Sequence, residues 1–179
     1  MNPSLNVPLP YLQGYAPQLQ MQVAALLAKP QGVADWLLPR YASGHALRSD
    51  KALYAYVSDL KAEHLRKAGT LHSVGYDNKI HVVRNALGLH TRRAVVQGGR
   101  LNARHEIRVA AMFKFVPEAF LRMIVVHELA HLREPEHDKA FYALCSHMEP
   151  SYHQLEFEVR VYLSHLERGG EKLWATAAA

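Results

Sequence analysis

The chain has 179 residues, of which 49% are hydrophobic and 21% charged, with a formal net charge of +5. That is the profile of one soluble globular domain with a real core, and it excludes a disordered or fibrous chain. The single cysteine, Cys145, excludes an intrachain disulfide and a thiolate metal cluster, which fits a reducing compartment.

The N-terminus, MNPSLNVPLPYLQG, lacks the basic and apolar segments of a signal peptide. No apolar run approaches the ~20 residues of a membrane span. A cytoplasmic protein without membrane contact is expected.

Residues 1–17 carry Pro3, Pro8, Pro10 and Pro17 and read as extended and irregular. A short helix is predicted over 18–28, closed by Pro30, and another helical turn over 33–41. A firmer helix should run from 50 to 68, capped by Ser49 or Asp50 and ended at Gly69. Leu53, Val57, Leu60 and His64 form its stripe. Residues 79–84, 92–97 and 104–111 are short, β-rich and partly alternating, and predict an antiparallel meander of three strands with turns at 85–90 and 98–103. Pro117 suits the first turn of a helix that Pro135 should end near Arg133. Further helices are expected over 138–148 and 153–168. The expected division is a helical N-terminal extension, 1–49, packed on a main domain, 50–170.

Charge is unevenly spread along this order. Between Lys79 and Arg108 there are seven basic residues (Lys79, Arg84, Arg92, Arg93, Arg100, Arg104 and Arg108) and one acid, Glu106. That stretch is a candidate DNA- or RNA-facing surface, against the simpler reading of a solvated face.

The chemistry concentrates in MIVVHELAHLREPEHDKAF, residues 123–141. His127 and His131 stand four apart, which on a helix brings both imidazoles to one face. Two neutral imidazoles so placed can bind one metal ion. Glu128 lies about 100° around the helix, out of line for ligation but able to act as general base on a water at the ion. This is the H-E-x-x-H arrangement. Glu128 shares a stripe with Leu121, Ile124 and Val125, where an unpaired carboxylate would cost several kcal/mol.

Catalytic zinc takes three protein ligands and leaves one position open. His137 is the preferred third ligand, because Pro135 lets the chain turn back. Glu156 or Glu158 of the last helix is the rival. The His127–His131–His137 spacing equals that of metzincin peptidases, but Glu134-Pro135 replaces their glycine.

VVHELAHLREPEHDKAFYAL resembles the YgjP-like metallopeptidase family, which is related to SprT-like zinc proteases. The matching positions are His127, Glu128, Leu129, His131, Leu132, His137 and Phe141, and the likeness covers about residues 50–168. The family's Trp-Gly-Ser-Cys segment is replaced by AVVQGGRLNA. The resemblance implies an α+β, zincin-like fold, with a small sheet on the active-site helix and zinc held by His127, His131 and His137. It also implies a zinc metallopeptidase that hydrolyses peptide or protein substrates by a Glu128-activated water. The alternative is a zinc hydrolase or protease acting on nucleic acid or on protein bound to it.

The strand at 106–111 is expected to pair with an extended substrate. Tyr142, His147, Tyr152 and His153 are minor candidates for steadying an oxyanion. His45, His72, His90 and His165 read as solvated.

Overall fold

The computed structural model describes residues 9–80, 88–97 and 100–174; for 88–97 and 100–104 it describes the backbone alone. Among the described residues, six helices and three strands form an α+β fold: α1 Pro17–Leu27, α2 Gly32–Leu37, α3 Asp50–His64, β1 Leu71–Asp77, β2 Gly88–Gln97, β3 Arg100–Ala110, α4 Glu118–Ala130, α5 Lys139–Met148 and α6 Tyr152–Glu167. Among the described residues, no helix is long and apolar enough to cross a membrane.

Helix starts follow the local chemistry. The Ser49 hydroxyl accepts from the Ala52 amide and caps α3. Asp138 caps α5 in the same way, accepting from Phe141 N at 3.0 Å. Pro17 opens α1, and Pro117 sits at the N-cap of α4. Gly69, expected to close α3, does not: the helix ends at His64 with Leu65 as its cap. Gly69 serves a different purpose, since a Cβ there would lie 2.5 Å from Nε2 of the buried His105.

The sheet departs from the predicted antiparallel meander. Its order is β1-β3-β2, with β2 antiparallel to β3 and β1 parallel to it. The first strand is 71–77 rather than 79–84; Lys79 lies in a turn, and 81–84 fall outside the described residues. LHSVGYD escapes a pattern reading because only part of it is apolar. Its place is set by tertiary contacts: Asp50 accepts from Tyr76 N at 2.9 Å, and the Tyr76 hydroxyl donates to Leu47 O. The turn predicted at 85–90 also fails where it can be seen, because 88–90 already belong to β2, and 100–103 belong to β3.

This order corrects a functional expectation. β3, which contains 106–111, is the central strand, so both of its edges are already paired. It cannot accept a substrate as an added strand.

α4 occupies the middle of the molecule. Every residue from Phe120 to Ala130 is buried except Arg122, the pattern of a helix packed on all sides. It meets α3, α5, α6 and the sheet. Arg122 resolves its own burial by donating to Glu149 at 2.6 Å and to Met148 O at 3.1 Å, at the end of α5.

The N-terminal helices share this core. Leu9, Leu12, Val23, Val33 and Leu37 join the same buried cluster as α4 and α6. Tyr41 and Trp174 pack edge-on against Phe120, and Trp174 Nε1 donates to Tyr41 O. Because Phe120 ties Tyr41 and Trp174 to α4, Phe120→Ala should cost about 3–5 kcal/mol. Urea unfolding followed by tryptophan fluorescence and by far-ultraviolet circular dichroism should shift together. Separate transitions would show that the N-terminal helices fold independently.

Candidate metal centre and active site

α4 delivers the first two histidines to one spot, as the four-residue spacing requires. The helix closes with His131 as its cap, three residues short of the expected end. Leu132 and Arg133 continue as a turn, and Pro135 follows. The chain then returns His137 to the same place just before Asp138 starts α5. One ring nitrogen from each of His127, His131 and His137 lies within 4.8 Å of the others. Their centroids are 4.7–5.0 Å apart, and Phe141 packs on all three at 4.7–4.9 Å.

The donor set fits a metal ion. Nε2 of His127 and Nε2 of His137 are 3.1 Å apart; two nitrogens about 2.1 Å from one tetrahedral ion stand about 3.4 Å apart. Two of the three Nδ1 atoms have named partners. His127 Nδ1 is 2.7 Å from the Tyr152 hydroxyl, and His131 Nδ1 is 3.1 Å from Glu134 O. A protonated Nδ1 on each ring leaves the Nε2 lone pair for the ion. Burial, with His131 and His137 close by, pulls His127 down to about 3, and burial also lowers His131. Both rings are therefore neutral near pH 7, the form that ligates.

Glu128 is 2% exposed, and burial raises its carboxyl to about 8. A divalent cation beside it would favour the carboxylate instead.

The rival ligands are engaged elsewhere. Glu156 pairs with Arg160 at 2.7 Å. Glu158 accepts from Arg40, Tyr41 and Gln154. Neither belongs to the histidine cluster.

The first residue of α6 supplies what sequence reasoning missed: Tyr152 is fully buried and holds His127 rather than facing a substrate. Its burial raises its pKa and keeps the hydroxyl protonated. No local pattern marks such a partner, because α4 and α6 meet only in the folded chain. His147 and His153 are exposed. His45 is not solvated as expected; it is buried, with Nε2 2.7 Å from Phe113 O and Nδ1 accepting from Leu47 N. The side chains of Arg84 to Arg104, and of His90, lie outside those described.

Sequence comparison gives this arrangement a family. The family model of the YgjP-like metallopeptidase domain matches residues 81–160. A UTP pyrophosphatase of Escherichia coli strain K12 is 57% identical over 165 residues, which is 92% of this chain and 98% of that protein. The chain belongs to the YgjP-like family. No solved structure matches it.

In this YgjP-like chain a cleft of about 530 Å³ runs between the end of α3 and the end of α4, lined by Arg66, Lys67 and Arg133 with Glu63 as the acid. Leu132, also in its wall, directly follows His131, so the cleft begins about 3.8 Å along the chain from that histidine.

Two predictions test the centre. Tyr152→Phe should keep the fold and weaken metal affinity about 10–100-fold; unchanged affinity in a competition titration would remove Tyr152 from the site. The second concerns pH. Glu128 binds a proton in the folded state up to about 8, whereas its ordinary value is 4.5. Stability of the metal-free protein should therefore fall as pH rises through that range. Below about 6.5, His127 opposes this, because its folded value is the depressed one. The decline should appear between pH 6.5 and 8, at about 1.4 kcal/mol per unit. It should vanish in Glu128→Gln; a decline that persists there has another source.

Proposed function

We propose that the protein is a metal-dependent hydrolase that cleaves UTP to UMP and pyrophosphate. The observation that carries this reading is the 57% identity, over nearly both full lengths, to a protein named UTP pyrophosphatase. The chemistry of the chain supports it in two further ways. The cleft whose wall includes Leu132 carries Arg66, Lys67 and Arg133 against Glu63, a cationic balance suited to a polyphosphate. And β3, the strand expected to hold an extended peptide, has no free edge.

His127, His131 and His137 would hold the ion, with zinc the first choice for three imidazoles. When bound, the ion supplies a Lewis acid that polarises a phosphoryl oxygen and acidifies water. Glu128 takes the proton from the attacking water. The water oxygen bonds to the α-phosphorus, the bond from that phosphorus to the bridging oxygen breaks, and pyrophosphate leaves with the bonding pair. With a cation in the cluster, the buried Glu128 would be an unsolvated carboxylate, the form a general base needs. A zincin-like relation of α4 and its histidines goes with this reading, as does a cytoplasmic setting, where nucleoside triphosphates are made.

Peptide hydrolysis is the second reading. The matched family model is described as a metallopeptidase domain, and a glutamate after the first histidine serves a carbonyl as well as a phosphorus. Contact of the basic 79–108 stretch with DNA or RNA belongs to a third.

Purified protein loaded with zinc should release pyrophosphate from UTP. Glu128→Gln should keep its metal and lose about 10²–10⁴ of the rate. His137→Ala should lose most of its metal. Cleavage of an unfolded protein substrate with no release of pyrophosphate would move the assignment to the peptidase.

A further inference from the structure

A second cleft, of about 310 Å³, lies between the turn after the Pro10–Leu12 helical segment and helices α5 and α6. Tyr15, Tyr142 and His153 line it. It touches the candidate centre through Tyr142, whose ring centroid is 6.5 Å from that of His137 and 6.4 Å from that of Tyr152.

The cleft differs chemically from the cationic one. Its one arginine, Arg160, is committed: Nε and Nη2 donate to Glu156 at 3.2 and 2.7 Å, and Nη1 donates to Tyr11 O at 3.2 Å. The guanidinium is neutralised and fixed, so it offers a rigid polar wall and not a phosphate site. What remains is largely aromatic. Tyr142 lies 5.6 Å from His153 at 34°, which presents ring faces to a flat ligand. Exposed Gln13 stands in the wall with an amide, which both donates and accepts.

We propose that this cleft receives the uracil ring of UTP, with Tyr142 as the stacking wall and Gln13 as the group that reads the ring edge. The proposal rests on the UTP reading above. A volume near the bottom of the ~300–1,000 Å³ range of ligand sites is room for part of a nucleotide such as its base. Uracil presents an N–H between two carbonyls, and one amide can pair with the N–H and a neighbouring oxygen. Cytosine has an acceptor in place of that N–H, so Gln13 favours uracil only while its amide oxygen is turned to that position. The committed Arg160 leaves the negative phosphates to the cationic cleft.

Steady-state kinetics with UTP and CTP, together with product inhibition by UMP and by inorganic pyrophosphate, test the assignment. Base stacking is worth about 1–3 kcal/mol, so Tyr142→Ala should raise KM for UTP and weaken UMP inhibition by about tenfold. Inhibition by pyrophosphate and metal content should stay as they are. Tyr142→Phe, which keeps the ring, should restore UTP KM to within about twofold. Gln13→Leu, at an exposed position, should narrow the preference for UTP over CTP. If the parent protein hydrolyses UTP while Tyr142→Ala and Gln13→Leu leave KM, UMP inhibition and selectivity unchanged, the cleft assignment is wrong and the function stands. Equal loss of UMP and pyrophosphate inhibition, unrescued by phenylalanine, also overturns it. A parent protein inert to UTP overturns both.

Discussion

The burial of α4 is the constraint on which the rest depends. A helix enclosed on all sides cannot carry charged imidazoles, and desolvation holds His127 neutral at any pH near 7. Neutral rings repel one another little and keep their lone pairs. His127 and His131, both held neutral, can then stand beside His137 in one small space. The same burial raises Glu128, so the metal-free protein holds a proton where catalysis needs a base. A cation in the cluster would resolve both conditions together, which explains why His127, Glu128 and His131 stand at the end of a buried, largely apolar helix.

Around that helix the structure divides labour between two kinds of support. Tyr152 and the Glu134 carbonyl fix ring orientation by hydrogen bonds, and Phe141 fills the space behind all three rings. The walls beyond them differ in character, one cationic and one aromatic with its arginine neutralised. A centre of this type does not by itself select a carbonyl or a phosphorus. Selection comes from the walls. Here the central position of β3 removes one way of holding a peptide, and the two clefts differ in charge.

Much of this was legible in the sequence, for identifiable reasons. Local signals were reliable: Ser49 and Asp138 cap as their positions suggest, and Pro117 marks the start of α4. The His127–Glu128–His131 spacing fixed relative geometry because a helix has a fixed repeat, and His137 could be placed because Pro135 forces a turn. What escaped was set by non-local contact. β1 is recognisable only through its pairing with β3 and the hold of Asp50 on Tyr76, and its parallel direction follows from a connection that local pattern cannot show. His45 looked like one more surface histidine until Phe113 O and Leu47 N closed around it. Tyr152 had no signal, since its role depends on how α6 crosses α4. Specificity was the least legible part, because the same motif serves more than one leaving group.

The most direct test of the central claim is anomalous diffraction, above and below the zinc edge, from crystals of the zinc-loaded protein. A single site about 2.0–2.1 Å from Nε2 of His127, His131 and His137, with Glu128 outside the ligand shell, is the result predicted here. A zinc site that omits His137 in favour of Glu156 or Glu158, or no ordered zinc among the three histidines, would contradict it.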